Sequence, residues 1–147
     1  MPQSPPSAVR RLGGVLVAIA LLAACGQGAG PSASPAASGF SGPRPSSPAV
    51  VGVSQPLAGS ALTGDSVHIV LTLTGAKIVT TTTTAIRPDE GHLHLYVDNV
   101  LVTMNYGLEQ DIAVHPGTYV IKAEFVAGDH GPFSPRIWSP EVFFTVK

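Results

Sequence analysis

Cysteine is nearly absent from this sequence, because Cys25 is the only one among 147 residues. A single thiol excludes both an intramolecular disulfide and a cysteine-rich metal site. Charged residues are also scarce, at 12% of the chain, and the formal net charge is −1. No basic run interrupts this mildly acidic balance, so we expect no nucleic-acid partner.

The sequence also lacks an apolar run long enough to span a bilayer. The run Leu12–Ala24 has 13 residues without a charged or hydrogen-bonding side chain, whereas a membrane core requires about 20. Arg10 and Arg11 precede the run and small residues end it, which is the pattern of an export signal. We therefore predict a cleaved signal peptide over residues 1–24. The arginine pair leaves open a twin-arginine route beside the general one.

The end of this run reads Leu22-Ala23-Ala24-Cys25 and resembles the lipobox of bacterial lipoproteins. The resemblance implies that Cys25 takes a diacylglyceryl group on its sulfur, becomes the new N-terminus and is often acylated again with a chain such as palmitate. Several acyl chains on one residue anchor a protein stably to a membrane. We expect lipid anchoring in the cell membrane, facing the extracytoplasmic side. An ordinary secretory signal with an incidental cysteine is the alternative.

A change of composition separates a tether from a domain. Residues 26–48 consist mainly of Gly, Pro, Ser and Ala, with Arg44 as the only charge. Such a segment buries too little apolar surface to offset its ordering entropy. We therefore predict a lipidated cysteine and disordered tether over residues 25–48. Residues 49–147 are then long enough for one small domain.

Apolar residues in this domain alternate with a period of two, which predicts β-strands. In Ser66–Leu73 and Gly91–Asp98 every second residue is apolar, and Tyr119–Val126 and Val142–Val146 repeat the pattern. With three shorter candidates, Ala49–Val53, Val100–Met104 and Gln110–Val114, these make about seven strands. That number predicts an all-β immunoglobulin-like sandwich, with a small β-barrel as the alternative. The threonine-rich stretch Lys77–Ile86 predicts either an edge strand or an ordered loop.

Two details of the domain bear on its fold and chemistry. A Pro-Gly turn leads to Tyr119, whose hydroxyl is expected either to bond back to the loop, as in a tyrosine corner, or simply to lie with its ring in the core. His92 and His94 are two apart on one strand, so they project from the same face about 7 Å apart. They could share a copper or zinc ion with a third ligand, for which His130, Asp98 and Asp129 are candidates.

The segment Gly91–Asp98, with Pro116-Gly117 and Asp129-His130, resembles a group of uncharacterised bacterial exported domains with an Ig-like fold. Their motifs are a G-H-x-H-L-x-x-D strand and a D-H loop, and the resemblance covers residues 49–147. This sequence has Leu93 where some members have a third consecutive histidine. The resemblance implies fold and location rather than an activity.

Two functions are compatible with these patterns. The first is a lipid-anchored envelope protein that presents an Ig-like structural or interaction domain to an envelope protein partner, with no cofactor. The second is a metal-binding lipoprotein that uses His92, His94 and His130. We expect ordinary hydrogen-bonding roles for these histidines more than metal binding, and we place His68 and His115 in solvent. No nucleophile-base motif or phosphate loop is present, so we do not expect an enzyme.

The lipobox predicts that Cys25→Ser abolishes lipid labelling, because only a thiol accepts the diacylglyceryl group. The variant should remain uncut or become soluble. Metabolic labelling with a fatty acid and detergent partitioning measure both effects. Unchanged partitioning of the Ser variant would contradict the assignment.

Overall fold

Strands account for all regular secondary structure in the part of the chain that the computed structural model describes, residues 42–147. The alternating β-branched and aromatic residues favour strands because they pack well on a pleated surface. The ten strands are β1 Val50–Gln55, β2 Ala61–Leu62, β3 Ser66–Thr74, β4 Lys77–Ile78, β5 Glu90–Val97, β6 Val100–Asn105, β7 Glu109–Ala113, β8 Gly117–Ala127, β9 Pro132–Trp138 and β10 Val142–Val146.

The strands form two sheets. The smaller sheet has the order β1-β3-β7, with antiparallel neighbours. The larger sheet has the order β2-β10-β8-β5-β4, and β6 and β9 pair with β5 and β8 respectively. This arrangement confirms the all-β Ig-like sandwich. Residues 42–147 contain no helix that is both long and apolar enough to cross a membrane.

The core lies between the two sheets and consists of the residues that alternate inward. Ile69 and Leu71 contribute from β3, and Leu93, Leu95 and Phe125 contribute from β5 and β8; all are essentially inaccessible to solvent. The inward faces expected for β3, β5, β8 and β10 are therefore confirmed.

Tyr119 stabilises the turn that leads into β8. Its hydroxyl donates to the carbonyl of His115 and accepts from the amide of the same residue, both at 2.9 Å. Its ring stacks on Phe144 with centroids 5.3 Å apart. The tyrosine corner and the packing role, which the sequence left as alternatives, are thus combined in one side chain.

The ten strands are the seven expected ones together with β2, β4 and β9. Strand β9 was not predicted, because Pro132 and Pro135 within it remove backbone donors. The stretch Lys77–Ile86 contributes only the two-residue β4 and continues as a loop.

The chain contacts the sandwich before residue 49. Arg44 forms two hydrogen bonds to the Asp129 carboxylate, at 2.7 and 2.8 Å, and a third to the Pro132 carbonyl. The Pro45 carbonyl accepts from the Ser134 amide. The prediction of a tether that buries little therefore does not hold for Arg44 and Pro45. The rest of the tether and the signal peptide, with Cys25, lie outside the described residues.

The core assignment predicts that Leu95→Ala lowers the free energy of unfolding by about 2–5 kcal/mol, the usual cost of a large-to-small change in a packed interior. Val50→Thr is the control, because Val50 is exposed on β1, and should cost under about 0.5 kcal/mol. Urea denaturation measures both. Equal effects would show that the β5 side chain does not lie in the core.

Candidate functional site

Strand β5 presents two histidines on the face that points away from the core. Leu93 and Leu95 point inward, so the alternation of the strand places His92 and His94 on the opposite face. Gly91 precedes them where β5 lies tightly against β8, and a Cβ there would be 2.0 Å from the Val126 carbonyl oxygen. Glycine at this position lets the two strands pair through the histidine segment.

The third histidine lies in the turn between β8 and β9. His130 has a positive φ of 64°, and its amide donates to the Ala127 carbonyl at 2.9 Å. Asp129 supports this turn, because one of its carboxylate oxygens accepts from the Gly131 amide at 3.0 Å and both accept from Arg44. The turn is packed so closely that a Cβ on Gly131 would lie 1.8 Å from an Arg44 nitrogen. Arg44 therefore fixes the turn that carries His130.

The three imidazoles converge. Nε2 of His92 is 2.8 Å from Nδ1 of His130, a hydrogen bond in which one ring donates its proton to the other. The ring centroid of His94 lies 5.1 Å from that of His92 and 5.9 Å from that of His130. Each residue offers one nitrogen, and these nitrogens all lie within 4.8 Å of one another.

The site is removed from water although it lies on the outer face of the sheet. His92 is 1% exposed and His94 is 6% exposed. Burial, and secondarily the neighbouring imidazoles, lower the pKa of His92 to about 4. Burial likewise lowers the pKa of His94. Both rings are therefore neutral at neutral pH, which is the form that binds metal ions.

One ring nitrogen of the cluster is buried and has no hydrogen-bond partner. Nε2 of His94 is buried and makes no hydrogen bond, and an unsatisfied buried polar atom costs free energy. By contrast, Nε2 of His130 lies 3.4 Å from the hydroxyl of Thr82. When His130 donates from that nitrogen, its Nδ1 keeps a lone pair directed at the other histidines. A ligating histidine commonly has such a partner on its second nitrogen.

A second polar group lies beside the histidines and is internally satisfied. Glu124 is opposite His94 in the β5–β8 register and is 1% exposed. Its carboxylate accepts two hydrogen bonds from Arg136, at 2.6 and 2.7 Å, and one from the Tyr96 hydroxyl. The Glu124 carboxylate is thus occupied by its ion pair with Arg136.

The structure selects among the ligands that the sequence proposed. It brings together His92, His94 and His130 but neither aspartate, because Asp129 binds Arg44 and Asp98 accepts from the Val120 amide. His68 is half exposed and contacts Asp111, and His115 is exposed. The expectation that these two histidines face solvent is confirmed.

Sequence reasoning missed three neighbours of the site. Tyr106 packs on His92 with ring centroids 5.2 Å apart, and Thr82 and Arg44 support His130. Thr82 lies within a uniform threonine run and gave no signal. Arg44 did give one, because it is the only charge in its segment.

Comparisons with known proteins give no family for this chain. No family model matches it, and no curated protein matches it. Among solved structures, it is similar to the fibronectin(III)-like modules of CbhA from Clostridium thermocellum, with 22% identity and a TM-score of 0.49 over 67% of this chain. It is also similar to an engineered protein from a structural genomics consortium, with 11% identity and a TM-score of 0.40 over 67% of this chain. The chain spans 46% of the first structure and 20% of the second.

The lowered pKa of His92 predicts that the metal-free domain loses stability in acid. Between about pH 6.5, the ordinary value, and pH 4, the unfolded chain binds a proton that folded His92 does not, so the free energy of unfolding falls as the pH falls. This contribution is complete above pH 6.5, and its loss amounts to roughly 1–3 kcal/mol by pH 4.

Urea unfolding at several pH values, on wild type and His92→Gln, isolates this contribution. The variant should show a shallower fall in stability over the same interval. Identical slopes would mean that His92 is protonated as easily in the folded as in the unfolded state.

Proposed function

We propose that this chain is a lipid-anchored cell-envelope protein whose Ig-like domain binds a transition metal ion, copper or zinc, through His92, His94 and His130. The convergence of three imidazole nitrogens within 4.8 Å, two of them on the buried residues His92 and His94, carries the proposal. Histidine supplies ligands to both metals.

The separations of the ring nitrogens and the hydrogen bonds of the cluster support metal binding. A tetrahedral ion with metal-nitrogen distances of about 2.0–2.1 Å would hold its ligands about 3.3 Å apart, which small ring movements achieve from the present separations. An ion would occupy the lone pair of His94 that lacks a partner, and it would displace the proton shared between His92 and His130. The orphaned nitrogen would thereby gain a ligand bond.

The lipobox-like segment supports the location of this site. Acylation of Cys25 would hold the domain at the extracytoplasmic surface of the membrane. An ion bound there would be taken from, or given to, the envelope compartment.

Binding is favoured over catalysis by the surroundings of the cluster. Three protein ligands leave a coordination position open, as in catalytic zinc sites. Many metallohydrolases also use a carboxylate beside the metal as a general base, and the neighbouring carboxylate, Glu124, is held by Arg136. We therefore propose no enzymatic activity.

Thermal unfolding with and without Cu²⁺ or Zn²⁺ tests metal binding. The protein used is the full chain with the substitution Cys25→Ser, so that no thiol competes for the ion. An ion at 100 times its dissociation constant stabilises the folded state by about 2.7 kcal/mol, which for a domain of this size raises Tm by roughly 10–20 °C. His94→Gln and His130→Asn should abolish the shift, and asparagine tolerates the positive φ of position 130.

The matched control is His68→Ala, which removes an exposed histidine and should leave the metal-induced shift unchanged. Loss of the shift in this variant, or its persistence in His94→Gln, would place the ion elsewhere. If the ion leaves Tm unchanged in the chain that keeps all three histidines, the proposal is wrong.

Protein recognition is a second candidate function, favoured by the exposed side of β6. Val100 is 64% exposed and Val102 is 44% exposed on a strand that, among residues 42–147, pairs with β5 alone. Exposed apolar residues on an unpaired edge are typical of interaction surfaces. A domain that binds no metal but associates through β6 would favour this function.

A further inference from the structure

A methionine lies beside the histidine cluster. Met104 on β6 is directly opposite His94 on β5. Residues directly opposite in an antiparallel pair point to the same face, with Cβ atoms about 4.5–5.5 Å apart. The alternation of β6 agrees, because Thr103 and Asn105 are opposite the inward-pointing Leu95 and Leu93. Met104 therefore shares the outer face with His94.

The next residue on that face already contacts the cluster. The ring of Tyr106 packs on His92, so the end of β6 covers the histidines from the side opposite β8. Met104 is 53% exposed and is therefore not fixed by core packing. Its three rotatable bonds allow the thioether sulfur to turn towards the neighbouring imidazole.

The chemistry of a thioether restricts which ion it serves. Thioether sulfur is a soft ligand that favours monovalent copper, whereas zinc sites in proteins use thiolate, imidazole and carboxylate. Neutral imidazoles bind copper as well. Three histidines with one methionine thus make an uncharged ligand set suited to a singly charged ion.

We propose that Met104 is the fourth ligand of the histidine site and makes it a site for monovalent copper. This inference rests on the proposed function, because it assigns the ion and the remaining ligand of the same cluster. Copper enters already reduced, so no electron transfer is involved. Met104 would close the position that three histidines leave open.

Two affinities measured on the same proteins test the assignment. The protein used is the full chain with the substitution Cys25→Ser, in which Met1 and Met104 are the only residues that contain sulfur. Monovalent copper affinity is measured without oxygen, with a reductant and a competing chromophoric chelator, and Zn²⁺ affinity is measured by competition with a zinc chelator. Met104→Leu keeps the size of the side chain and removes the sulfur, and Val102→Leu, at an exposed position of the same strand, is the control that removes no sulfur.

Met104→Leu should lower the affinity for monovalent copper by about tenfold or more and change the Zn²⁺ affinity by less than about twofold. X-ray absorption at the copper edge should show a sulfur neighbour in the parent chain and in Val102→Leu, and only nitrogen neighbours in Met104→Leu. Because position 104 is exposed, the variant should fold normally, and an unchanged Tm without metal verifies this.

The failures of the two proposals are distinguishable. Unchanged copper affinity in Met104→Leu, or the absence of a sulfur neighbour, would overturn the role of Met104 and leave the three-histidine site intact. Equal losses for copper and zinc would show a structural effect of position 104 and would also overturn it. If the chain binds neither ion, the proposed function fails and this inference fails with it.

Discussion

The pairing of β5 with β8 is the constraint on which the rest of the structure depends. The two strands are in continuous antiparallel register from Gly91 opposite Ala127 to Val97 opposite Ile121. Both faces are buried where residues 91–95 of β5 pair with residues 123–127 of β8. Polar side chains on the outer face of this stretch must therefore find a partner within the protein or bind something from outside.

Two polar groups on that side meet this requirement differently. Around Glu124, the cost of burying a carboxylate is offset by Arg136 and Tyr96, and Trp138 lies under the guanidinium at 4.6 Å. Burial lowers the pKa of His92 and of His94, His92 shares one hydrogen bond with His130, and a buried nitrogen of His94 remains without a partner. The first group is internally satisfied, whereas the second leaves one buried ring nitrogen without a hydrogen-bond partner. This contrast is the physical basis for the proposal that the histidines bind an ion.

Periodicity in the sequence was sufficient to predict the sandwich and its inward-facing residues. The alternation in β3, β5, β8 and β10 identified residues such as Leu95 and Phe125 because a strand with one buried face repeats every two residues. The same rule could not show that the outward residues His92 and His94 are buried, because their cover comes from distant segments. The rings of Tyr106, which follows β6, and of His130, in the turn between β8 and β9, provide part of it. The convergence with His130 depends on a turn whose conformation no local pattern specifies.

The position of Arg44 shows how much of the N-terminal segment is needed to hold the turn that carries His130. Composition alone would end the tether at residue 48, and a soluble fragment cut there would retain every strand. It would nevertheless lack the cation that is paired with Asp129, whose side chain is 1% exposed. The loss of two hydrogen bonds and of the opposite charge at this buried carboxylate would favour rearrangement of the turn at residues 128–131. Such a fragment would retain the strands of the sandwich yet present His130 differently, so that the shortest chain with all the described strands and the shortest chain that holds His130 in place differ by at least five residues at the N-terminal side.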